Sequence, residues 1–237
     1  MSNPRFKRLG YWLGLALTVM AVVAGVYVLQ IAKCRSILLR ERLKFAKAPS
    51  DAHWLACYWE VNGKRTQEVP SLIKILSGAR PSSVNMLPRT ARDMQDVKAA
   101  AWAIKVLGSL KEISIQDGGE EVMIFLRHVG TQPRLEDLFS FRAHSVTDEL
   151  SRILPRFPNL RRIAIESTGF TGKGFPVLRE LTDTDFSASP ITVNGLHAIA
   201  ACPKLKAIKI RDHPSPTREL REAAEQIMRE RPGLEIW

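Results

Sequence analysis

The sequence has little cysteine and lacks the short motifs that mark common enzymes. Its three cysteines, Cys34, Cys57 and Cys202, are odd in number and far apart, which argues against a disulfide framework. It contains no Walker-type lysine loop, no G-x-S-x-G and no H-E-x-x-H segment. His53 has helical spacing to Cys57, but no second pair with metal-ligand spacing accompanies them. We therefore predict no catalytic residues, no metal site, no cofactor and no enzymatic activity.

Acidic side chains are scarce at the start of the chain, and positive charge is concentrated there. Residues 1–48 contain nine Lys or Arg and one Glu, whereas the other 189 residues contain 26 basic and 23 acidic side chains. Most of the net charge of +11 therefore belongs to the first 48 residues. A basic segment beside an otherwise balanced domain favours a membrane flank over a nucleic-acid-binding surface. We predict no nucleic-acid partner.

Charge is absent from residues 9–32. As a helix this 24-residue segment would be about 36 Å long, enough to cross the ~30 Å hydrocarbon core of a bilayer. Tyr11, Trp12 and Tyr27 lie towards its ends, where aromatic rings favour the membrane interface. A cleaved signal peptide is the alternative, but its apolar core would be shorter, and VLQIAKC offers no small-residue cleavage site. We predict one transmembrane helix at 9–32, with the lipid bilayer as its partner.

Basic residues flank this segment unequally. Arg5, Lys7 and Arg8 precede it, and six basic residues follow it. The six are Lys33, Arg35, Arg40, Arg42, Lys44 and Lys47. Their excess favours a cytoplasmic location for the downstream domain. The alternative is a short positive tail that stays inside while the long domain crosses, because long domains translocate largely regardless of charge.

Two local patterns precede the second half of the chain. The pair Asn62-Gly63 lies between two strand-like runs and predicts a β-hairpin with a two-residue turn. Pro70 opens the segment SLIKILSG, which predicts a short helix ending near Gly78. The segment from Ser82 to Leu87 resembles an early, degenerate strand.

A leucine followed by strand-like alternation recurs six times in the second half of the chain. The six leucines are Leu110, Leu135, Leu160, Leu181, Leu205 and Leu234, at spacings of 25, 25, 21, 24 and 29 residues. Four of them follow a proline by two residues, and proline ends a helix and favours an extended strand. Threonines at positions 147, 171, 192 and 217 precede helix-like patterns, where a hydroxyl can cap the first turn. Each unit is therefore predicted to be a strand, a turn, a capped helix and a proline.

On these residues the chain resembles the leucine-rich repeat family over residues 97–237. CPKLKAIKI from Cys202 is similar to the cysteine-containing repeats of that family. The resemblance implies an α/β fold, a short solenoid of parallel strands and helices behind the N-terminal transmembrane helix. The chain departs from the family pattern because most units lack asparagine or cysteine after the strand, and because Thr184 replaces an apolar residue. An α/β domain with a short parallel sheet is the competing fold.

In such a solenoid the first, fourth and sixth strand positions face the core, as Leu110, Ile113 and Ile115 would. The alternating positions would form two columns on the concave face. The first column is Ser114, Phe139, Ala164, Asp185 and Lys209, and the second is Gln116, Phe141, Glu166, Ser187 and Arg211.

Phe139 and Phe141 are the leading candidates for binding a ligand on this face, because aromatic side chains in such patches are frequent anchors. Charged residues of both signs beside them suit a protein or peptide partner. The candidate binding residues are Phe139, Phe141, Glu166, Asp185, Lys209 and Arg211. If the strand were shifted by one residue, both phenylalanines would be buried instead.

The sequence therefore predicts five segments and one function. The segments are an N-terminal tail (1–8), a transmembrane helix (9–32), a basic juxtamembrane segment (33–50), a hairpin and helix cap region (51–96) and the repeat domain (97–237). The predicted function is non-catalytic binding of a protein or peptide by a membrane-tethered domain. The alternative is a passive structural or envelope-associated protein without a specific ligand. The juxtamembrane segment either continues the helix or forms a solvated spacer.

Overall fold

A computed structural model describes residues 4–46, 55–61, 64–68, 70–76, 79–86, 94–108, 110–116, 119–213 and 216–237. The helices of this part are α1 (Pro4–Ala46), α2 (Leu72–Leu76), α3 (Met94–Leu107), α4 (Glu120–His128), α5 (Leu150–Ile153), α6 (Val193–Ala200) and α7 (Arg218–Glu230). A 3-10 turn, Leu154–Arg156, follows α5. Some sequence predictions concern residues outside these ranges, namely His53, Asn62, Gly63, Gly78 and residues 47–50.

The strands form a single open sheet within the described part of the chain. They are β1 (Leu55–Val61), β2 (Lys64–Thr66), β3 (Arg80–Met86), β4 (Glu112–Gln116), β5 (Asp137–Phe141), β6 (Arg162–Ile165), β7 (Asp183–Asp185), β8 (Ala207–Lys209) and β9 (Glu235–Ile236). Their order is β2-β1-β3-β4-β5-β6-β7-β8-β9. From β3 onwards each strand pairs in parallel with the next one in the chain, while β1 is antiparallel to both neighbours. The predicted α/β class with parallel strands is confirmed.

The alternation along each strand determines which face of the sheet joins the core. Ile113 and Ile115 of β4 are fully buried, and Leu138 and Ser140 of β5 lie at the same positions and are buried as well. Buried side chains of the helices belong to the same core, including Val97 of α3. The helices therefore cover one face, and the side chains of the other face are mainly polar or aromatic.

The predicted threonine caps are confirmed for helices α6 and α7. Thr192 Oγ1 accepts a hydrogen bond from the Gly195 amide at 3.1 Å, and Thr217 Oγ1 accepts one from the Leu220 amide at 3.2 Å. Each bond satisfies an amide that the first helical turn leaves without a partner.

The prediction of a capped helix in every unit is wrong for three units. In the units that begin at Leu110 and Leu135, helices α4 and α5 have no side-chain cap, and Thr147 Oγ1 only accepts a hydrogen bond from the Glu149 amide at 3.3 Å, before α5 begins. The unit that begins at Leu160 departs further. No helix lies between β6 and β7, and Thr171 Oγ1 donates to Asp148 Oδ2 at 2.6 Å instead of capping a helix. This unit has only 21 residues before the next leucine, and Pro176 removes a backbone donor from the segment. Phe175 and Leu178 still fill the core from an irregular backbone.

The N-terminal helix is partly exposed and partly docked. Residues 16–27 of α1 are exposed throughout, but Ile31, Cys34 and Leu38 are buried against the rest of the protein, chiefly α3. These three follow the spacing of one helix face. By length and composition, Ala16–Arg40 is able to cross a membrane. The helix continues past residue 32 to Ala46.

Candidate ligand-binding face

The uncovered face of the sheet, here called the open face, carries all six predicted binding residues on or just after its strands. Backbone register places Ser114, Phe139, Ala164, Asp185 and Lys209 in one row across β4 to β8. The row extends to Asn85 of β3, which sequence analysis did not include. Gln116 and Phe141 form the start of the second row, and Glu166, Ser187 and Arg211 follow β6, β7 and β8. The strands thus bring the predicted residues onto one surface.

Two phenylalanines form the aromatic centre of the open face. The rings of Phe139 and Phe141 are stacked, with centroids 6.2 Å apart and planes 15° from parallel. Phe141 is 38% exposed and Phe139 is half-buried, whereas Leu138 and Ser140 between and beside them are buried on the other face. The alternative register, in which both rings would be buried, is therefore wrong.

A cation lies beside this aromatic pair. The Arg162 guanidinium carbon is 5.8 Å from the Phe139 ring centroid. Arg162 Nε and Nη2 donate to the two carboxylate oxygens of Asp137 at 2.5 and 2.7 Å. This carboxylate raises the pKa of Arg162 above its ordinary value. Sequence analysis missed Asp137 and Arg162. Each lies two residues before a predicted open-face residue on its strand, Phe139 on β5 and Ala164 on β6.

The opposite edge of the open face carries a second aromatic group. The Lys209 ammonium lies 4.9 Å and the Arg211 guanidinium carbon 4.1 Å from the Trp237 ring centroid. Trp237 itself is 41% exposed. Among the hydrogen bonds of the described residues, none joins Asp185 to Lys209 or Arg211. Asp185 Oδ1 instead accepts from the Ser187 amide and hydroxyl at 3.0 and 2.6 Å. Trp237 was also missed, since its position depends on the pairing of β8 with β9.

A polar groove of about 360 Å³ lies where the strands begin. Its lining residues are Glu60, Arg65, Ser82, Ser83, Lys111, Glu112, Glu136 and Asp137. Lys111 Nζ lies 2.9 Å from Glu60 Oε2 and lowers the pKa of that carboxyl group. Asp137 lines this groove and pairs with Arg162, so the groove borders the cation that lies beside the aromatic centre. The open face therefore combines stacked aromatic rings with charges of both signs.

Behind this face, polar side chains join neighbouring units. Ser189 Oγ donates to the Ile165 carbonyl at 2.9 Å and accepts from the Ser167 amide at 3.1 Å. Cys202 Sγ accepts from the Leu178 amide at 3.3 Å, and burial raises the pKa of its thiol. A nitrogen of His213 lies 3.0 Å from the Ile191 carbonyl oxygen. These side chains stabilise the backbone of the preceding unit, which assigns them a structural role.

Among the described residues, no group of three or more His, Cys, Asp or Glu side chains is placed to hold a metal ion. Comparison with known protein families finds no matching family model, and comparison with curated proteins finds no significant match.

Proposed function

We propose that the chain is a single-pass membrane protein whose leucine-rich-repeat solenoid binds a protein or peptide through the open face, without catalysis. The observation that carries this proposal is the stacked pair Phe139 and Phe141, beside the ion-paired Arg162, on the open face of the sheet. Aromatic and arginine side chains are the commonest energetic anchors of protein interfaces. The open face is the concave face that the repeat resemblance implies.

The repeat assignment is supported by the bonds between units. Ser189 and His213 follow strands β7 and β8, where the family has asparagine or cysteine, and each bonds the backbone of the preceding unit. Cys202 does the same before β8. Other polar side chains thus supply the hydrogen bonds that the missing asparagines would make.

The membrane anchor is supported by the exposure of α1. A helix of the domain core would be covered by protein. Residues 16–27 are instead all exposed, and apart from Thr18 they are apolar. Exposure of such an apolar segment is unfavourable in water but not in the hydrocarbon core of a bilayer. The excess of basic residues after the segment favours a cytoplasmic location for the domain.

A phage-displayed peptide library, selected against the full chain in detergent, tests the binding role. Peptides enriched on the wild-type chain are expected to bind the Phe141→Ser variant at least about tenfold more weakly, as the loss of an aromatic anchor predicts. Val177→Ser is the matched control, because Val177 is 60% exposed but lies outside the open face, between β6 and β7.

A second outcome would favour the passive structural role. If no peptide is enriched, or if the enriched peptides bind Phe141→Ser as well as the wild-type chain, the open face is not a binding surface. The domain would then serve as a structural or envelope-associated component.

A further inference from the structure

The short helix α2 carries an apolar surface that the open face does not explain. Ile73 is 78% and Leu76 41% exposed, while Ile75 is fully buried and fixes the helix to the core. Burial of exposed aliphatic side chains of this size is favourable, so this pair is a candidate contact surface.

This surface lies directly beside the N-terminal helix. Arg35 Nε of α1 donates to the Pro70 carbonyl at 2.8 Å, two residues before α2 begins, and α1 contacts α2 along this stretch. Arg35 is three residues past the end of the uncharged segment, which corresponds to about 4.5 Å along a helix. The α2 helix is therefore adjacent to α1 at the level where α1 would leave the hydrocarbon core.

The groups at this level are those that favour a membrane interface. The Lys33 ammonium lies 5.3 Å from the Trp102 ring centroid of α3, and Lys74 lies on α2 between Ile73 and Ile75. Tryptophan favours the headgroup region, and lysine and arginine are attracted to anionic lipid surfaces.

The domain is also docked on α1 without a spacer. Ile31, Cys34 and Leu38 are buried, and Arg40 forms an ion pair with Asp96 of α3 at 3.5 Å. Among the side chains of residues 16–40, the first buried one is Ile31, two residues before Lys33, so the docked domain begins where the uncharged segment ends. The direction of α1 through the bilayer then determines the orientation of the domain.

We propose that α2 is a second membrane contact, in which Ile73 and Leu76 enter the interfacial layer of the bilayer that α1 spans. This inference rests on the proposed anchor. The two contacts together hold the repeat domain against the membrane in one orientation, with Lys33, Arg35 and Lys74 at the level of the lipid headgroups.

Three variants with one introduced cysteine each, labelled with an environment-sensitive fluorophore, test the proposal in the full chain reconstituted into phosphatidylcholine and phosphatidylserine vesicles. Ile73→Cys reports on α2, and Val22→Cys, at a 61% exposed position of α1, reports on the anchor. Val177→Cys is the aqueous control, because Val177 is comparably exposed and lies between β6 and β7. Lipids brominated near the headgroup or near the chain end are the quenchers, and the wild-type chain gives the background from its own three cysteines.

The expected result is quenching at position 73 by the shallow bromines, at least about twofold stronger than at position 177, together with deep quenching at position 22. Deep quenching at 22 with equal signals at 73 and 177 overturns the second contact and leaves the anchor intact. No deep quenching at 22 overturns the anchor and this inference with it. A signal at 73 that depends on protein concentration and not on bromine indicates contact with a second copy and also overturns the proposal.

Discussion

Asp137 and Arg162 lie opposite each other on neighbouring strands and form a two-point ion pair on the open face. Paired hydrogen bonds of this kind restrict the guanidinium plane as well as its position. Because the same guanidinium lies 5.8 Å from the Phe139 ring centroid, the carboxylate positions a cation beside the aromatic centre. Asp137 is therefore a positioning residue for the Arg162 guanidinium.

Asp137→Asn is expected to weaken the binding of peptides selected on the wild-type chain. The loss should be up to about fivefold, corresponding to about 1 kcal/mol, because the pair is partly exposed and Arg162 itself remains. Peptide titration by fluorescence anisotropy measures the change. Asp183→Asn is the control, since Asp183 faces Arg162 from the other side in the strand register but makes its hydrogen bond with Thr182. Equal losses in both variants would contradict a specific positioning role for Asp137.

The two faces of β5 should respond oppositely to truncation. Leu138→Ala removes a buried side chain and should lower the free energy of unfolding by about 2 to 5 kcal/mol. Phe141→Ser should lower it by about 1 kcal/mol or less, because that ring is exposed and loses mainly its stacking on Phe139. Urea unfolding of the full chain in detergent measures both values. A larger loss for Phe141→Ser than for Leu138→Ala would contradict the register of β5.

The bonds between units predict a cost for a single hydroxyl. Ser189→Ala leaves the Ser167 amide and the Ile165 carbonyl without this partner in a buried position, which should cost about 1 to 3 kcal/mol. Thr168→Ala, at an exposed neighbouring position, should change stability by less than about 0.5 kcal/mol. Parallel thermal and urea unfolding distinguishes the two variants. If they are equally stable, Ser189 does not join the units.

Leucine spacing and two-residue alternation predicted the parallel strands and favoured the outward orientation of Phe139, while the shift by one residue that would bury it was decided only by the structure. Both predictions follow from the backbone, because each strand alternates its side chains and each new strand pairs with the previous one. The missing helix after Thr171 could not be predicted in this way, since a capping threonine shows where a helix can begin but not whether the chain has room for one. Pro176 and the 21-residue spacing were the available signals.

The docking of α1 shows a different limit. Ile31, Cys34 and Leu38 are buried by protein, whereas Leu29 is 70% exposed, yet Leu29 and Ile31 belong to the same uncharged stretch. Lipid and a protein core are both apolar, so composition does not distinguish a residue that faces one from a residue that faces the other. Only the tertiary packing against α3 separates them.

Acid should remove the contribution of one ion pair to stability. The Arg127 guanidinium donates to the Glu149 carboxylate, which holds the pKa of Glu149 below its ordinary value. Above the unfolded-state pKa of about 4.3 the pair contributes fully, and its contribution is lost as the pH falls through the lower folded-state pKa. Glu149→Gln should therefore be less stable than wild type at pH 7 by less than about 1 kcal/mol, and equally stable in acid. Arg127→Gln should give the same pH profile, and a difference that persists in acid would contradict the assignment to this pair.

The side of the membrane is predicted by the basic residues that follow the apolar segment. Six Lys and Arg after residue 32, against three before residue 9, favour retention of the downstream domain in the cytoplasm. In intact cells that express the full chain with a C-terminal epitope tag, external protease should leave the domain uncut, and permeabilisation should expose it. Digestion in intact cells would place the domain outside. The unequal charges would then be overridden by translocation of the long domain behind a positive tail, and the ligand of the open face would have to be sought in the envelope or the extracellular space.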